Sequence, residues 1–128
     1  MRIDEFLARV RDNGEYHSQE EAEQVSTAVL RVLASRITPE EAADLAAQLP
    51  APLDDVLRPE RGHPETFGRE EFLRRVAERT GARPRTAEWD ACAVLATVAE
   101  AVSAGQVDHL LEQLPPDFAE LFGRLQPS

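Results

Sequence analysis

A chain of 128 residues with 42% apolar and 30% charged side chains has the balance of one globular domain, which excludes a disordered polymer. Its net charge of −10, from 24 acidic and 14 basic residues, repels phosphate backbones and anionic lipid. Nucleic acid and membrane are therefore disfavoured as main partners, and partners that bear basic groups are favoured.

The opening MRIDEFLARV scatters charges among its apolar residues, so it does not read as a secretory signal. No apolar run approaches the roughly 20 residues that cross a bilayer. The single cysteine, Cys92, has no second thiol in the chain to pair with, and the cytoplasm is the expected compartment.

The first element is a helix on which Ile3, Phe6, Leu7 and Val10 share an apolar face. Gly14 marks a loop, and Ser18 with Glu21 forms a capping box that opens a second helix. Ala22, Val25, Val29, Val32, Leu33 and Ile37 carry its buried stripe. Thr38 is the expected cap of a third helix, with Pro39 at its first position, and Pro50 stops that helix by Leu49. Leu53, Val56 and Leu57 suit a short fourth helix. The stretch RPERGHPETFG then has the proline, glycine and charge content of a linker.

The pattern starts again after it. Phe72, Leu73 and Val76 open a helix, Gly81 and Pro84 lie in a loop, and Thr86 is the expected cap of a long helix bearing Trp89, Val94, Leu95, Val98 and Val102. Val107, Leu110, Leu111 and Leu114 form a third helix, and Phe118, Leu121, Phe122 and Leu125 a last one. Sustained alternation of the kind strands need is absent from the sequence.

The recurrence keeps register. Glu5, Phe6, Leu7, Arg9 and Val10 recur as Glu71, Phe72, Leu73, Arg75 and Val76, an offset of 66. Ala28, Val29, Leu30 and Ala34 recur as Ala93, Val94, Leu95 and Ala99, and Leu45, Gln48, Leu49 and Pro50 as Leu110, Gln113, Leu114 and Pro115, both at 65. The expected architecture is an all-α single domain, 1–128, made by tandem duplication of a roughly 60-residue four-helix unit, with the halves related by a pseudo-twofold or stacked like a short solenoid. Residues 1–58 form the first unit, 59–67 the linker and 68–128 the second unit.

The F-L-x-x-V opening, the T/S-x-E-E-A-x-x-L-x-x-Q-L-P element and the acidic-apolar closing helix resemble the bacterial family of domains of unknown function numbered 2267, from Phe6 to Leu125. The resemblance implies an all-helical bacterial protein and supplies no catalytic residue. In the second unit Thr38-Pro39-Glu40-Glu41 becomes Ser103-Ala104-Gly105-Gln106, which is expected to weaken the cap of that helix.

Chemistry-bearing residues are sparse. His17, His63 and His109 lack the paired spacing of a zinc site and read as solvated, so neither metal nor cofactor is expected. The pairs Asp4-Glu5, Glu20-Glu21, Glu40-Glu41, Asp54-Asp55 and Glu70-Glu71 sit at helix starts, where the helix dipole favours negative charge. Cys92 reads as a buried packing residue, and Trp89 as a core anchor.

Positive charge gathers at Arg69, Arg74, Arg75, Arg79, Arg83 and Arg85. Arg74, Arg75, Arg79, Arg83 and Arg85 are the candidate contacts for an anion or partner, although Glu70, Glu71 and Glu78 interleave and can pair with them along the helix. The expected function is a non-catalytic helical module for protein–protein interaction or scaffolding. The alternative is a nucleic-acid-associated regulator using the Arg-rich stretch 69–85. Alanines on the long helices suit either the internal core or a homodimer seam.

Overall fold

Seven α-helices and a closing 3-10 helix make up the regular structure among the described residues of the computed structural model, 1–58 and 64–124. They are α1 (Ile3–Gly14), α2 (Gln19–Arg36), α3 (Pro39–Ala46), α4 (Leu53–Val56), α5 (Arg69–Thr80), α6 (Pro84–Ala101), α7 (Ala104–Glu112) and the 3-10 helix Pro116–Phe122. Helix covers 74% of these residues, and strands are absent among them.

Side-chain caps set the starts of α2, α3 and α7. Ser18 Oγ accepts from the Glu21 amide at 3.1 Å, and Thr38 Oγ1 from the Glu41 amide at 3.2 Å. Ser103 Oγ accepts from the Gln106 amide at 3.1 Å, so the cap of α7 is intact where the sequence pointed to a weakened one. A hydroxyl at the cap position suffices, and the acidic residues of the first turn can be lost.

Thr86 is not a cap. Helix α6 begins two residues earlier, at Pro84, because proline is pre-set for the first helical position. The closing element is 3-10 rather than α, yet Phe118, Leu121 and Phe122 are buried as expected. Leu125 and linker residues 59–63, His63 among them, lie outside the described residues.

Helices α2 and α6 touch each other at the centre, and α1 and α5 each pack against both of them. Helix α4 covers α2, the 3-10 helix covers α6, and α3 meets α7. One continuous cluster of buried side chains draws on both halves, including Phe6, Leu30, Leu33, Phe72, Leu95 and Phe118. The Phe72 and Phe118 rings meet edge to face, 5.3 Å apart. Burying each such side chain stabilises by about 1.5–3 kcal/mol, and only the shared core gathers enough of them. Ala22, Ala28, Ala87 and Ala91 are buried, so their small size serves helix approach inside the domain.

The two QLP segments are tied across the halves. Gln48 Oε1 accepts from the Ser103 amide at 2.8 Å, while Gln113 Oε1 accepts from the Thr38 amide at 3.0 Å. Each glutamine thus satisfies a free amide just before the third helix of the opposite half. Gln106 Nε2 donates to Glu41 Oε2 at 2.9 Å and Gln48 Nε2 to Gln106 Oε1 at 3.2 Å. Glu41 is only 3% exposed, and its Oε1 has no hydrogen-bond partner among the described residues.

Candidate functional site

Helical spacing puts Arg75 and Arg79 one turn apart on α5, facing α2. Together with Arg74 and Glu78 they form one wall of a cleft of about 370 Å³. Arg31, Val32, Ala34 and Ser35 of α2 form the other wall, and Ile37, Pro39, Val56 and Arg58 close the end. Among the described residues, five guanidinium groups and two carboxylates, Glu65 and Glu78, line it.

Ion pairs fix part of this wall. Arg74 binds Glu71 in a bidentate pair, at 2.7 and 2.6 Å, and also reaches Glu78. Arg75 donates to Glu71 at 2.9 Å and to Glu65 at 3.0 Å. Hydrogen bonds from Arg74 and then Arg75 hold the Glu71 carboxyl down to about 2, and the same bonds raise both arginines.

The Arg75 guanidinium also lies over the Phe67 ring, 4.0 Å from its centre. The segment that carries Phe67 is anchored to α2. Glu65 donates its amide to Ser35 O at 2.9 Å, and Arg36 Nε donates to Phe67 O at 2.6 Å. Burial lowers the Arg36 guanidinium from its ordinary value.

Arg79 stands apart from this network. It is exposed at the cleft and has no hydrogen bond or ion pair with another described residue. Of the five candidate contacts, the structure brings Arg74, Arg75 and Arg79 together and leaves out Arg83 and Arg85. Those two are exposed at the start of α6, away from the cleft lining. Arg69 is spent on ion pairs with Glu88 and Glu120 at 3.2 and 3.3 Å. Arg31 and Arg58 are cleft residues that the sequence reading missed. A signal existed, since at the offset of 65 they stand against Ala96 and Gly123, and the halves differ there in both bulk and charge.

The model of one protein family, described as Uncharacterized conserved protein (DUF2267), matches residues 3–121. The chain belongs to this family. No curated protein matches the chain.

Elsewhere on this DUF2267 member, the remaining sequence candidates are placed as follows. Trp89 is not a core anchor. It is 51% exposed, and its indole N–H donates to Gly14 O at 2.9 Å, tying α6 to the end of α1. Cys92 is half-buried rather than buried, and burial raises its thiol, with Glu88 adding to the effect. His17 and His109 are exposed. The five carboxylate pairs all lie in first helical turns.

Asp90, 4% exposed, accepts a 2.5 Å hydrogen bond from Tyr16 Oη. Burial raises both groups above their ordinary values, and the nearby Glu21 adds to each rise. Among the described residues, no three His, Cys, Asp or Glu side chains converge in the manner of a metal site. No helix there is long and apolar enough to cross a membrane.

Proposed function

We propose that the chain is a non-catalytic protein-interaction module of the bacterial cytoplasm, with the α2–α5 cleft as its docking surface. The observation that carries this reading is the convergence of Arg31, Arg58, Arg74, Arg75 and Arg79 on one cleft of a chain with net charge −10. A local reversal of sign on an acidic body orients an incoming partner and rejects the wrong face. The carboxylates of the cleft are engaged, Glu65 with Arg75 and Glu78 with Arg74, which leaves them poorly placed for acid–base work.

The nucleic-acid reading has less support. Arg83 and Arg85 stand away from the cleft, and Arg74 and Arg75 already hold carboxylates. Phe67, the aromatic ring beside these arginines, has Arg75 over it, so it offers a base no open platform there.

The same proposal includes a history for the fold, a duplicated unit arranged about a pseudo-twofold axis. Supporting it are the reciprocal Gln48–Ser103 and Gln113–Thr38 bonds, whose partners are related by the offset of 65. The packing pairs support it as well, since α1 on α6 corresponds to α5 on α2.

Affinity capture from native lysate tests the docking role. A partner held by the native chain and lost with an Arg58→Glu/Arg79→Glu variant is the expected result. A partner retained equally by both proteins overturns the role of the cleft.

A further inference from the structure

We infer that the occupant of the cleft is an acidic segment of a partner protein that brings an apolar side chain between its carboxylates. This rests on the reading of the cleft as a docking surface and adds the chemistry of what docks there.

The lining has two parts that must be met together. Half-buried Pro39 and the edges of the buried Val32, Ala34, Ile37 and Val56 supply a small apolar surface, and guanidinium groups stand around it. A bare inorganic anion would satisfy the cations and leave the apolar lining wet. An uncharged apolar segment would cover that surface and leave like charges facing one another across it. A segment with carboxylates on either side of an apolar residue satisfies both parts.

The volume agrees. At about 370 Å³ the cleft is near the lower end of the range for ligand pockets, enough for a short run of side chains rather than a folded surface.

The protein already makes this contact with its own carboxylates on one wall. Glu65, on a segment tied to Ser35, places its carboxylate on Arg75, and Glu78 places its own on Arg74. Among the described residues, Arg79 has no such partner and Arg58 has only the exposed Asp55, 3.4 Å away. These two are the cations left for carboxylates from outside.

The test is an NMR titration of isotope-labelled full-length protein with defined probes. They are a short peptide alternating glutamate with leucine, an all-glutamate peptide of equal charge, a glutamine–leucine peptide, inorganic phosphate and a single-stranded RNA oligonucleotide. The inference expects the glutamate–leucine peptide to shift amides of α2, α5 and α4, and to bind at least ~10-fold more tightly than any other probe. Arg58→Glu/Arg79→Glu should weaken it at least ~10-fold while the rest of the spectrum stays native, which also verifies the fold.

Equal binding by the all-glutamate peptide, phosphate or RNA at these same amides overturns the inference and leaves the docking surface standing. Shifts confined to other elements, or none with any probe, overturn both.

Discussion

Where α1 crosses α6, Asn13 donates to Thr97 Oγ1 at 2.9 Å, Arg9 pairs with Glu100 at 3.1 Å, and Gly123 comes against Ala96. A β-carbon placed on Gly123 would lie 3.8 Å from that of Ala96, ordinary contact distance. Where α5 crosses α2, the same registers carry Arg79 for Asn13, Val32 for Thr97, Ser35 for Glu100, Arg58 for Gly123 and Arg31 for Ala96. There α5 still packs on α2, and the 370 Å³ cleft lies beside their contact. At three positions the sealed contact has the small neutral Asn13, Ala96 and Gly123, where the open one has the long like-charged Arg79, Arg31 and Arg58. If the duplication proposed above holds, one framework carries a sealed contact and an open one that differ at a handful of side chains.

The sharpest way to break this comparison is to put the open contact's residue into the sealed one. Ala96→Arg should overpack the seam against Gly123 and destabilise the protein by about 1–3 kcal/mol in chemical denaturation. The mirror change Arg31→Ala should stay within about 0.5 kcal/mol. Equal effects for the two would mean that the contacts do not differ as described.

A smaller loss is expected from Thr97→Val, which gives the sealed contact the branched residue of the open one. Thr97 is fully buried, donates to Ala93 O at 2.8 Å and accepts from Asn13. Removing its hydroxyl should cost about 1 kcal/mol, and a double-mutant cycle with Asn13→Ala should show that the two residues are coupled.

The two regions should also respond oppositely to pH. Asp90, beside the sealed contact, is raised in the fold by burial. Its contribution is therefore full below the ordinary carboxylate value and is lost as pH rises through the raised one. Asp90→Asn keeps an acceptor for Tyr16 and should gain up to about 1 kcal/mol at neutral pH, with the fall in stability above the ordinary carboxylate value flattened. Glu71, beside the open contact, is depressed to about 2. Its contribution is present above the ordinary value and is lost as pH falls toward 2, so Glu71→Gln should remove that acid-side slope. Denaturation curves collected across pH separate the two. The least effect on stability, within about 0.5 kcal/mol, is expected for Arg79→Glu, since Arg79 holds no partner among the described residues.

Much of this fold was legible in the sequence because capping and periodicity are local. Ser18, Thr38 and the apolar stripe of α2 are read within a few residues of themselves. One error came where a distant partner decides, and two came from local competition at helix starts. Trp89 has the size of a core residue, but its N–H found Gly14 O, so the ring stays on the surface. Thr86 looked like a cap until Pro84 began the helix earlier. The cap of α7 survived because a serine hydroxyl needs no acidic neighbour.

The cleft was half legible. Arg74, Arg75 and Arg79 stand out as a run, but a run does not reveal that Arg31 and Arg58 face it from more than a dozen residues away. Nor does it show that Arg83 and Arg85, next in sequence, belong elsewhere.

The most direct measurement is the affinity of the glutamate–leucine peptide for a chain whose open contact carries the sealed contact's residues, Arg31→Ala/Arg58→Gly/Arg79→Asn. The account predicts a folded protein of near-native stability on which binding falls at least ~10-fold. Undiminished binding to that folded variant would contradict it.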